Sequence, residues 1–469
     1  MSHTRNKALS LKTLKSVTSC PRTVTYDLRD WISKLEEHNL LSRIADEVDV
    51  RNVSALLTKN FRKATIFEKI KGYDIPIIGN AISNRKMCAV ALGATEENLI
   101  QVYERKLQNP IKPQLVRDGP CKEVLITGDD VDLTHFPIPL QHELDGGPYI
   151  TAAMQVAKDP RNFVPNIGIY RMMYRTKKET GCNLTSQHHL REYYQLSLDL
   201  GKELEVACVL GLHGVDMISA VSSTPSGMDD FEVMGALRGE PVRLVKCETI
   251  DVEVPADAEI VLECVLSSTG WVHDEGPYGE FTGVYSPLRK DPVLRVKAIS
   301  HRKNPIFQTA THGGPHMGWT DINCSLPKYE YALWSALKRA NIDIKGIRLI
   351  PSSCGRWAIA SIRQRIRGDA RNALYVMLSS PSSIGLPKYA VVVDDDIDIY
   401  DEESIYWAMT FRSQPDQDVV VLNDMPAIPN DPSLPVETPP VTTSKMGIDA
   451  TTPFGRSRSR FEIAYPPFM

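Results

Sequence analysis

The feature that most constrains the fold is a change in the spacing of apolar segments between residues 126 and 318. In this stretch the apolar runs are short, and Gly and Pro separate them, as at 242–247, 260–265 and 293–299. Short apolar runs bounded by turn residues are typical of antiparallel sheets and barrels. Two segments, at 189–204 and 230–238, interrupt the pattern as predicted helices. We therefore predict a mainly antiparallel sheet or barrel for this part of the chain.

The flanking sequences indicate α/β structure on both sides of that sheet. After Asp27, apolar residues recur at Leu28, Trp31, Ile32 and Leu35, which is the pattern of a capped amphipathic helix. The regions predicted around the sheet are a flexible basic N-terminus at 1–26, an α/β region at 27–125, a connecting helix at 319–341, a C-terminal α/β domain at 342–430 and an extended, proline-rich tail at 431–469. The expected fold class is α+β.

Composition excludes several classes of protein. The chain has 54 Lys and Arg against 58 Asp and Glu, a net charge of -4, which gives no general electrostatic reason to bind nucleic acid or a membrane surface. No apolar run approaches the roughly 18 residues that cross a bilayer. Nine scattered cysteines without a Cys-x-x-Cys pair fit a reducing compartment. We expect a cytoplasmic protein; a mitochondrial one stays open, because the basic N-terminus lacks acids.

Two nucleotide-binding motifs are absent from the sequence. There is no Gly-x-x-x-x-Gly-Lys-Ser/Thr loop and no Gly-x-Gly-x-x-Gly between a strand and a helix. Phosphoryl transfer on a P-loop and a standard Rossmann dehydrogenase are therefore not expected. The acidic run at 394–398 follows a predicted strand, and we interpret it as the end of that strand and a helix cap rather than as a metal site.

The most informative segment is the hexapeptide Glu-Gly-Pro-Tyr-Gly-Glu at 275–280. Its interior cannot be helical, so a tight turn must present Glu275 and Glu280 together. A buried pair of carboxyl groups gives one site both a proton donor and an ionised partner at neutral pH. The alternative is a surface turn with two solvated acids.

Other polar residues are weaker signals when each is taken alone. The segment 166–171 alternates like a strand, which sends Asn166 and Arg171 to opposite faces unless Gly168 marks a bulge. An arginine in an apolar strand needs a partner, for which Glu275 is a candidate. A further helix is predicted to begin at His188 and His189, and near position 230 acids begin the next one.

Taken together, these segments resemble the UbiD family of non-oxidative decarboxylases, which includes the fungal ferulic acid decarboxylases. The resemblance spans about 25–450, and its motifs occur in one order. They are Asn-Ile-Gly-Ile-Tyr-Arg at 166–171, Gln-His-His-Leu-Arg at 187–191, Ser-Ser-Thr-Pro at 222–225, Gly-Ala-Leu-Arg-Gly-Glu-Pro at 235–241, the hexapeptide at 275–280, Asp-Asp-Asp-Ile-Asp at 394–398 and Ser-Lys-Met-Gly-Ile-Asp-Ala-Thr at 444–451. The resemblance implies a split β-barrel that binds flavin and a C-terminal α/β oligomerisation domain.

The resemblance also implies prenylated FMN as cofactor, with Mn²⁺ (or Mg²⁺) and K⁺ at its phosphate. The implied metal ligands are Asn166, His189 and Asp230, with Glu232 as the alternative acid because the family has Glu where this chain has Asp230. An amide oxygen, an imidazole and a carboxylate suit Mn²⁺ or Mg²⁺ better than structural zinc. The implied cofactor contacts are Thr151, Ile169, Arg171, His188, Ser222, Ser223, Pro225 and Lys388.

The catalytic residues implied by the resemblance are Arg171, Glu275 and Glu280. Arg171 is expected to pair with Glu275 and to orient the substrate carboxylate. Glu280, expected to be the more buried acid, stays protonated and returns a proton to the carbon that loses CO₂. The reverse carboxylation with bicarbonate is expected too. The implied partners are a carboxylic acid substrate, a flavin prenyltransferase that supplies the cofactor, and further copies of the chain in a homodimer or larger oligomer.

The substrate pocket is predicted at 312–319, where His312, His316 and Trp319 suit a phenolic or heteroaromatic acid. Two other functions stay open. One is a flavin-binding or cofactor-handling protein without turnover, against which the acid pair argues. The other is a metal-dependent hydrolase built on His312, His316 and Asp321, against which the Pro-interrupted spacing argues.

Overall fold

The computed structural model of the chain describes residues 26–185, 188–222, 224, 227–380, 387–428, 430–434, 442–462 and 464. The predictions for 1–25, for Ser223 and Pro225 and for most of the tail's prolines lie outside these residues. In the described part, none of the helices combines the length and the apolar character needed to cross a membrane.

The N-terminal region packs helices against a small sheet. Its elements are α1 (Leu28–Glu37), β1 (Leu41–Val48), α2 (Val53–Lys59), β2 (Ala64–Ile70), β3 (Ile77–Gly79), α3 (Arg85–Leu92) and α4 (Leu99–Leu107). The side chain of Asp27 caps α1 by accepting from the backbone N–H of Asp30, and the four predicted apolar residues of α1 are buried. The predicted capped helix is confirmed.

The central region is built on an antiparallel sheet. Its elements are β4 (Gln114–Leu115), β5 (Val124–Thr127), β6 (Tyr149–Ile150), β7 (Met154–Lys158), β8 (Pro165–Ile169), β9 (Met172–Thr176), β10 (Glu179–Gly181), α5 (His189–Asp199), β11 (Leu204–Leu210), α6 (Gly214–Ala220), α7 (Asp230–Arg238), β12 (Arg243–Lys246), β13 (Glu253–Pro255), β14 (Ile260–Glu275), β15 (Arg289–His301) and β16 (Phe307–Gln308). The sheet follows the order β6-β9-β10-β15-β14-β11-β7-β8, with β5 beside β15, and curls into a half-barrel. The prediction of an antiparallel sheet or barrel is confirmed.

The C-terminal region is a second α/β layer. Its elements are α8 (Leu326–Arg339), β17 (Ile344–Leu349), β18 (Trp357–Ile362), α9 (Asp369–Ser379), β19 (Tyr389–Asp394), α10 (Glu402–Phe411), α11 (Pro415–Asp418), β20 (Val419–Pro426) and β21 (Thr442–Ala450). The sheet order is β17-β18-β19-β21-β20. The α+β class is confirmed, whereas the residue numbers at which one domain gives way to the next stay predictions.

Two elements of the central sheet determine where the polar clusters lie. The longest ladder joins β14 to β15 in antiparallel register and runs to the pair Glu275 and Arg289. The strand β8 lies at the far end of the sheet order and pairs with β7. Since the sheet curls, residues at the end of β8 come close to the end of β14, where the polar side chains of the next section meet.

Candidate active site

The structure brings Arg171, Glu275 and Glu280 into one cluster. Glu275 is the last residue of β14, Glu280 lies in the loop that follows it, and Arg171 comes just after β8. The Arg171 guanidinium donates from Nε to Glu275 Oε1 (2.7 Å) and from Nη2 to Glu275 Oε2 (3.0 Å). Its Nη1 donates to Glu280 Oε1 (2.8 Å). One arginine therefore bridges both acids of the predicted turn.

The two carboxylates differ in the number of hydrogen bonds that they accept. Glu275 accepts two more, from the hydroxyl of Tyr149 at Oε1 (3.1 Å) and from Asn183 Nδ2 at Oε2 (3.1 Å). Among the described residues, the carboxylate of Glu280 accepts one hydrogen bond, from Arg171 at Oε1. The carboxylate of Glu275 thus accepts four hydrogen bonds and is held in one orientation, whereas in the described residues Glu280 keeps one oxygen for other partners.

One expectation about this pair is corrected. Glu275 is 0% exposed and Glu280 is 7% exposed, so Glu275 and not Glu280 is the more buried acid. The reason is position: Glu275 ends a strand of the central sheet, while Glu280 lies in the loop. The expected pairing of Arg171 with Glu275 is present, and Arg171 also pairs with Glu280.

The environment of Arg171 fixes its charge and its orientation. Burial lowers the pKa of the Arg171 guanidinium, but the hydrogen bonds and charge of Glu275 and the charge of Glu280 outweigh this and raise the pKa. The guanidinium lies over the Tyr278 ring, 4.4 Å from its centroid. A guanidinium has five N–H groups, and the described residues accept three of them, which leaves one on Nη1 and one on Nη2. These two can receive a further anion.

Neighbouring segments hold the strand end and the loop in place. The buried side chain of Gln155 on β7 bonds both backbone groups of Tyr170, the residue before Arg171 (2.9 Å each). Asp145 Oδ1 accepts from the backbone N–H of Gly279 (2.8 Å). A Cβ atom at Gly279 would lie 2.3 Å from the His142 ring, so only glycine fits at that position.

A second cluster contains the predicted metal ligands. Asn166 on β8 lies with its Nδ2 3.1 Å from His189 Nδ1 and 2.6 Å from Asp230 Oδ2. The hydroxyl of Thr224 donates to Asp230 Oδ1, and the backbone N–H of Ile167 donates to Asp230 Oδ2 (2.8 Å). Asn166 and Arg171 thus serve separate clusters.

The donor types of this second cluster fit a hard cation. Burial raises the pKa of the Asp230 carboxyl, although its hydrogen bonds oppose the shift. A cation there would offset the cost of burying the carboxylate. In the described part of the chain, His, Cys, Asp and Glu alone form no cluster of three or more suited to a metal. The site therefore depends on Asn166, whose amide can turn to present its oxygen.

Glu232, the alternative acid, lies beside the second cluster and has no hydrogen bond to it among the described residues. It lines an open cavity of about 660 Å³ together with Phe163, Gly227, Met228 and Asp229. The cavity adjoins the second cluster, because Pro165 and Asp229, which precede Asn166 and Asp230, form part of its wall. The geometry therefore favours Asp230 over Glu232 as the acid of that cluster.

The other predicted cofactor residues have these positions. Thr151 Oγ1 accepts from the backbone N–H of Ala310 (2.9 Å), and Ile169 ends β8. Ser222 Oγ donates to the carbonyl of Ile218 (3.0 Å). His188 precedes α5, and burial, with Lys328 and His189 nearby, lowers its pKa to about 4. Lys388 Nζ contacts Asp431 (2.9 Å) and Ser433 (2.8 Å), so its described partners belong to the C-terminal region.

The predicted substrate-pocket residues separate into two groups. His312 Nδ1 lies 3.2 Å from the hydroxyl of Tyr278, which links it to the Arg171 cluster. Burial, with the charges of His142 and Arg171, lowers the pKa of His312 to about 4, so it is neutral at pH 7. His316 and Trp319 instead pack on Phe61 after α2, with ring centroids 3.9 and 5.8 Å away.

The hydrolase interpretation has no cluster to support it in the described residues. Asp321 accepts at Oδ1 from the backbone N–H of Ile82 (2.9 Å) and at Oδ2 from that of Thr311 (2.8 Å). Its carboxylate therefore ties segments of the backbone together, and His316 is directed to Phe61 instead.

Tyr149, Asn183 and Gln155 are site residues that sequence reasoning missed. Each makes its contact across a long separation in the chain or through backbone atoms, and none belongs to a motif. Tyr149 and Asn183 precede Glu275 by 126 and 92 residues. In the sequence, each of them is marked only as a polar residue within an apolar stretch. Such a position predicts a hydrogen bond but does not identify the residue that forms it.

Family models cover most of the chain. Residues 32–107, 114–315 and 327–450 match, in order, the N-terminal, the Rift-related and the C-terminal domains of 3-octaprenyl-4-hydroxybenzoate carboxy-lyase. A curated protein of Archaeoglobus fulgidus, described as uncharacterized, is 32% identical over 453 residues, which are 91% of each chain.

Solved structures give the same family. The UbiD-class enzyme HmfF from Pelotomaculum thermopropionicum, in complex with FMN, superposes with a TM-score of 0.88 at 33% identity, over 94% of this chain and 97% of that one. Vanillic acid decarboxylase of Sedimentibacter hydroxybenzoicus, in its open form, superposes with a TM-score of 0.82 at 30% identity, over 95% of this chain and 97% of that one. The apo 3,4-dihydroxybenzoic acid decarboxylase of Enterobacter cloacae superposes with a TM-score of 0.84 at 26% identity, over 95% of this chain and 97% of that one.

Proposed function

The chain belongs to the UbiD family of carboxy-lyases, and from that membership we propose that it catalyses a reversible, non-oxidative decarboxylation with prenylated FMN. The substrate is an aromatic, heteroaromatic or α,β-unsaturated carboxylic acid. The observation that carries the proposal is the Arg171 guanidinium bridging Glu275 and Glu280, all three largely buried at the ends of β8 and β14.

Arg171 binds the carboxylate of the substrate in this proposal. Its two unused N–H groups, on Nη1 and Nη2, match the two oxygens of a carboxylate. Glu275 and the Tyr278 ring hold the guanidinium, so the incoming acid meets a donor that is already oriented. Holding the reacting group in a fixed position lowers the activation barrier of the decarboxylation, because the entropy of orienting the substrate is lost on binding and not in the reaction step.

Glu280 returns the proton. When the substrate carboxylate arrives, three carboxylates surround one guanidinium, and the excess negative charge favours a proton on the acid with fewer hydrogen bonds, which is Glu280. The bond between the substrate carbon and its carboxyl carbon breaks, CO₂ leaves, and the Glu280 proton moves to the substrate carbon. The reverse sequence carboxylates the product, with CO₂ or bicarbonate as the carbon source.

Prenylated FMN, when bound, supplies the electron sink that side chains lack. Two structural relatives, both HmfF, were solved with FMN and with prFMN. Asn166, His189 and Asp230 would hold Mn²⁺ or Mg²⁺, with K⁺ near the same phosphate. Of the other residues predicted to contact the cofactor, Ile169 and His188 lie nearest in the chain to this cluster, since Ile169 ends β8 and His188 precedes His189.

Phenolic acids are the first substrates to test. Two relatives are named as decarboxylases of vanillic acid and of 3,4-dihydroxybenzoic acid. His312, linked through Tyr278 to the Arg171 cluster, offers a neutral imidazole to a phenol or a ring nitrogen. A flavin prenyltransferase supplies the cofactor in this proposal.

The test is made on protein co-expressed with a flavin prenyltransferase. CO₂ release is measured from hydroxybenzoic, heteroaromatic and cinnamic acids. Glu280→Gln is expected to keep flavin absorbance within about twofold of wild type and to lower turnover by at least ~100-fold, because proton transfer contributes roughly that much. Glu143→Gln removes an exposed acid nearby and should behave as wild type.

The possible outcomes separate the alternatives. Protein that carries flavin but releases no CO₂ from any acid supports a flavin-binding protein without turnover. Protein that carries no flavin contradicts both interpretations. If Glu280→Gln turns over as fast as wild type, Glu280 is not the proton donor.

A further inference from the structure

Behind the Arg171 and Glu275 pair lies a buried acid that the proposed mechanism does not use. Asp291 is the third residue of β15 and lies opposite His273 of β14 in the register, two residues before Glu275. It is 1% exposed, and neither carboxyl oxygen has a hydrogen-bond partner among the residues that the structure describes. Such a group costs stability, so its presence calls for an explanation.

A second unsatisfied group faces the same place. Arg175 on β9 has Nε and Nη2 buried without a hydrogen-bond partner in the described part of the chain. Gly181 on β10 separates the two side chains: a Cβ there would lie 2.9 Å from Arg175 Nη2 and 3.4 Å from Asp291 Oδ2. The glycine leaves room between an arginine and an acid that, in the described structure, do not form an ion pair. The arrangement therefore does not fix Asp291 as a carboxylate.

The charges around Asp291 come from β14, β9, β15 itself and the segment after β8. Burial and, to a lesser extent, the charge of Glu275 raise the pKa of its carboxyl to about 8, against the opposing charges of Arg171, Arg175 and Arg289. Cys182, after β10, has its own pKa raised by burial and by Asp291. His273, the register partner on β14, is exposed. At neutral pH the carboxyl is thus mostly protonated.

We infer that Asp291 is a positioning residue: its neutral carboxyl behind the Arg171 and Glu275 pair leaves the guanidinium charge available to the substrate carboxylate. The inference rests on the proposed function. With Glu280 protonated and Asp291 neutral, the charges of Arg171 and Arg175 exceed that of Glu275, so an anionic substrate meets a site with net positive charge. Ionised Asp291 removes this excess and weakens the binding of the substrate. Asp291 therefore determines the upper pH limit of substrate binding.

The same carboxyl also makes stability depend on pH. Because the folded chain holds this proton more tightly than the unfolded chain, the stability that it contributes is complete below the ordinary Asp pKa of about 4. That contribution is lost as the pH rises through the folded value.

The test compares Asp291→Asn with Asp274→Asn. Asp274 lies on the same ladder but is exposed and paired with Lys290 (2.7 Å), so its replacement removes a charge without changing the buried site. Two quantities are measured from about pH 6 to 9.5 on flavin-loaded protein. They are the KM of the acid that is turned over best and the dissociation constant of benzoate.

In wild type and in Asp274→Asn, both constants are expected to rise about tenfold above pH 8, with kcat changing less. In Asp291→Asn they stay flat. The melting temperature of Asp291→Asn should equal or exceed that of wild type near pH 8.5 and should fall less between pH 6 and 9.

Other outcomes overturn the inference. It fails if Asp291→Asn keeps the wild-type rise in both constants, or if the variant is less stable at every pH with an unchanged KM profile, which is the behaviour of a structural residue. If no acid is turned over, the proposed function fails, while benzoate affinity and melting temperature still decide the role of Asp291. The inference about Asp291 also fails if the affinity of the wild-type protein for benzoate does not change with pH.

Discussion

Glu275 and Glu280 share one guanidinium, yet their surroundings give them different chemistry. The sequence indicated the pair and named Arg171 as a partner of Glu275, because a Gly-Pro turn must present both acids together. The difference in hydrogen bonding was beyond sequence reasoning, since Tyr149 and Asn183 reach Glu275 from distant segments. Residue types therefore predict the members of a site better than they predict the state of each member.

The choice between Asp230 and Glu232 is also decided at single residues. Asp230→Asn is expected to lower manganese and flavin content together, by about tenfold for the metal, because it removes the carboxylate of the second cluster. The measurement is metal analysis and flavin absorbance of purified protein. Glu232→Gln, whose side chain lines the cavity, should keep both near wild type. The reverse pattern would assign the ligand to Glu232.

At the level of elements, the apolar pattern located strands but not their ends. The predicted strand 260–265 is the first part of β14, which continues to Glu275. Its second part contains mostly exposed or half-exposed residues and so lacks an apolar signal, and pairing with β15 maintains it. Cross-strand partners far along the chain determine such extensions. The part of β14 that positions Glu275 was therefore the part that the sequence pattern predicted least well.

The connecting helix shows a second limit of prediction from the apolar pattern, which concerns the contacts of a helix with other regions. It was predicted at 319–341 and is an α-helix at Leu326–Arg339, preceded by 3-10 turns. Inside it, Glu330 is 0% exposed and pairs with Arg85 of α3, and its Oε1 accepts from the backbone N–H of Leu349 (2.9 Å). One side chain thus joins the helix to the N-terminal region and to β17.

Glu330→Ala is expected to destabilise the chain by about 3–5 kcal/mol, because it leaves the Arg85 guanidinium buried without its anion. Thermal unfolding and urea titration measure the loss. Glu36→Ala is the matched control: it breaks the exposed pair with Arg43 and should leave the stability close to that of wild type. Equal effects of the two changes would mean that burial does not strengthen the Arg85 pair.

For the whole molecule, the order of the regions along the chain could be predicted from the sequence. The pairing of strands from different regions could not. The change from α/β to short strands and back gave the α+β class. The strand β16, however, leaves the central region and pairs with β3 of the N-terminal sheet, about 230 residues earlier in the chain. Two residues form that strand, so no periodicity marks it. Long-range pairing of short segments depends on the assembled core.

The C-terminal sheet is where we expect copies of the chain to associate. The strand β20 forms an edge of that sheet in the described residues, and Val421 on it is 58% exposed. On α10 of the same region, Tyr406 and Phe411 are 64% and 62% exposed. Soluble proteins rarely leave apolar edges uncovered.

Wild-type protein should therefore sediment as a multiple of 52.4 kDa. Val421→Lys places a charge on the edge strand and should shift the protein toward the monomer, with the fold retained by circular dichroism. Leu200→Lys makes the same change at a residue of similar exposure, 61%, after α5 of the central region, and should leave the mass unchanged. A monomeric wild type, or a mass that Val421→Lys does not alter, would mean that this edge is not the interface.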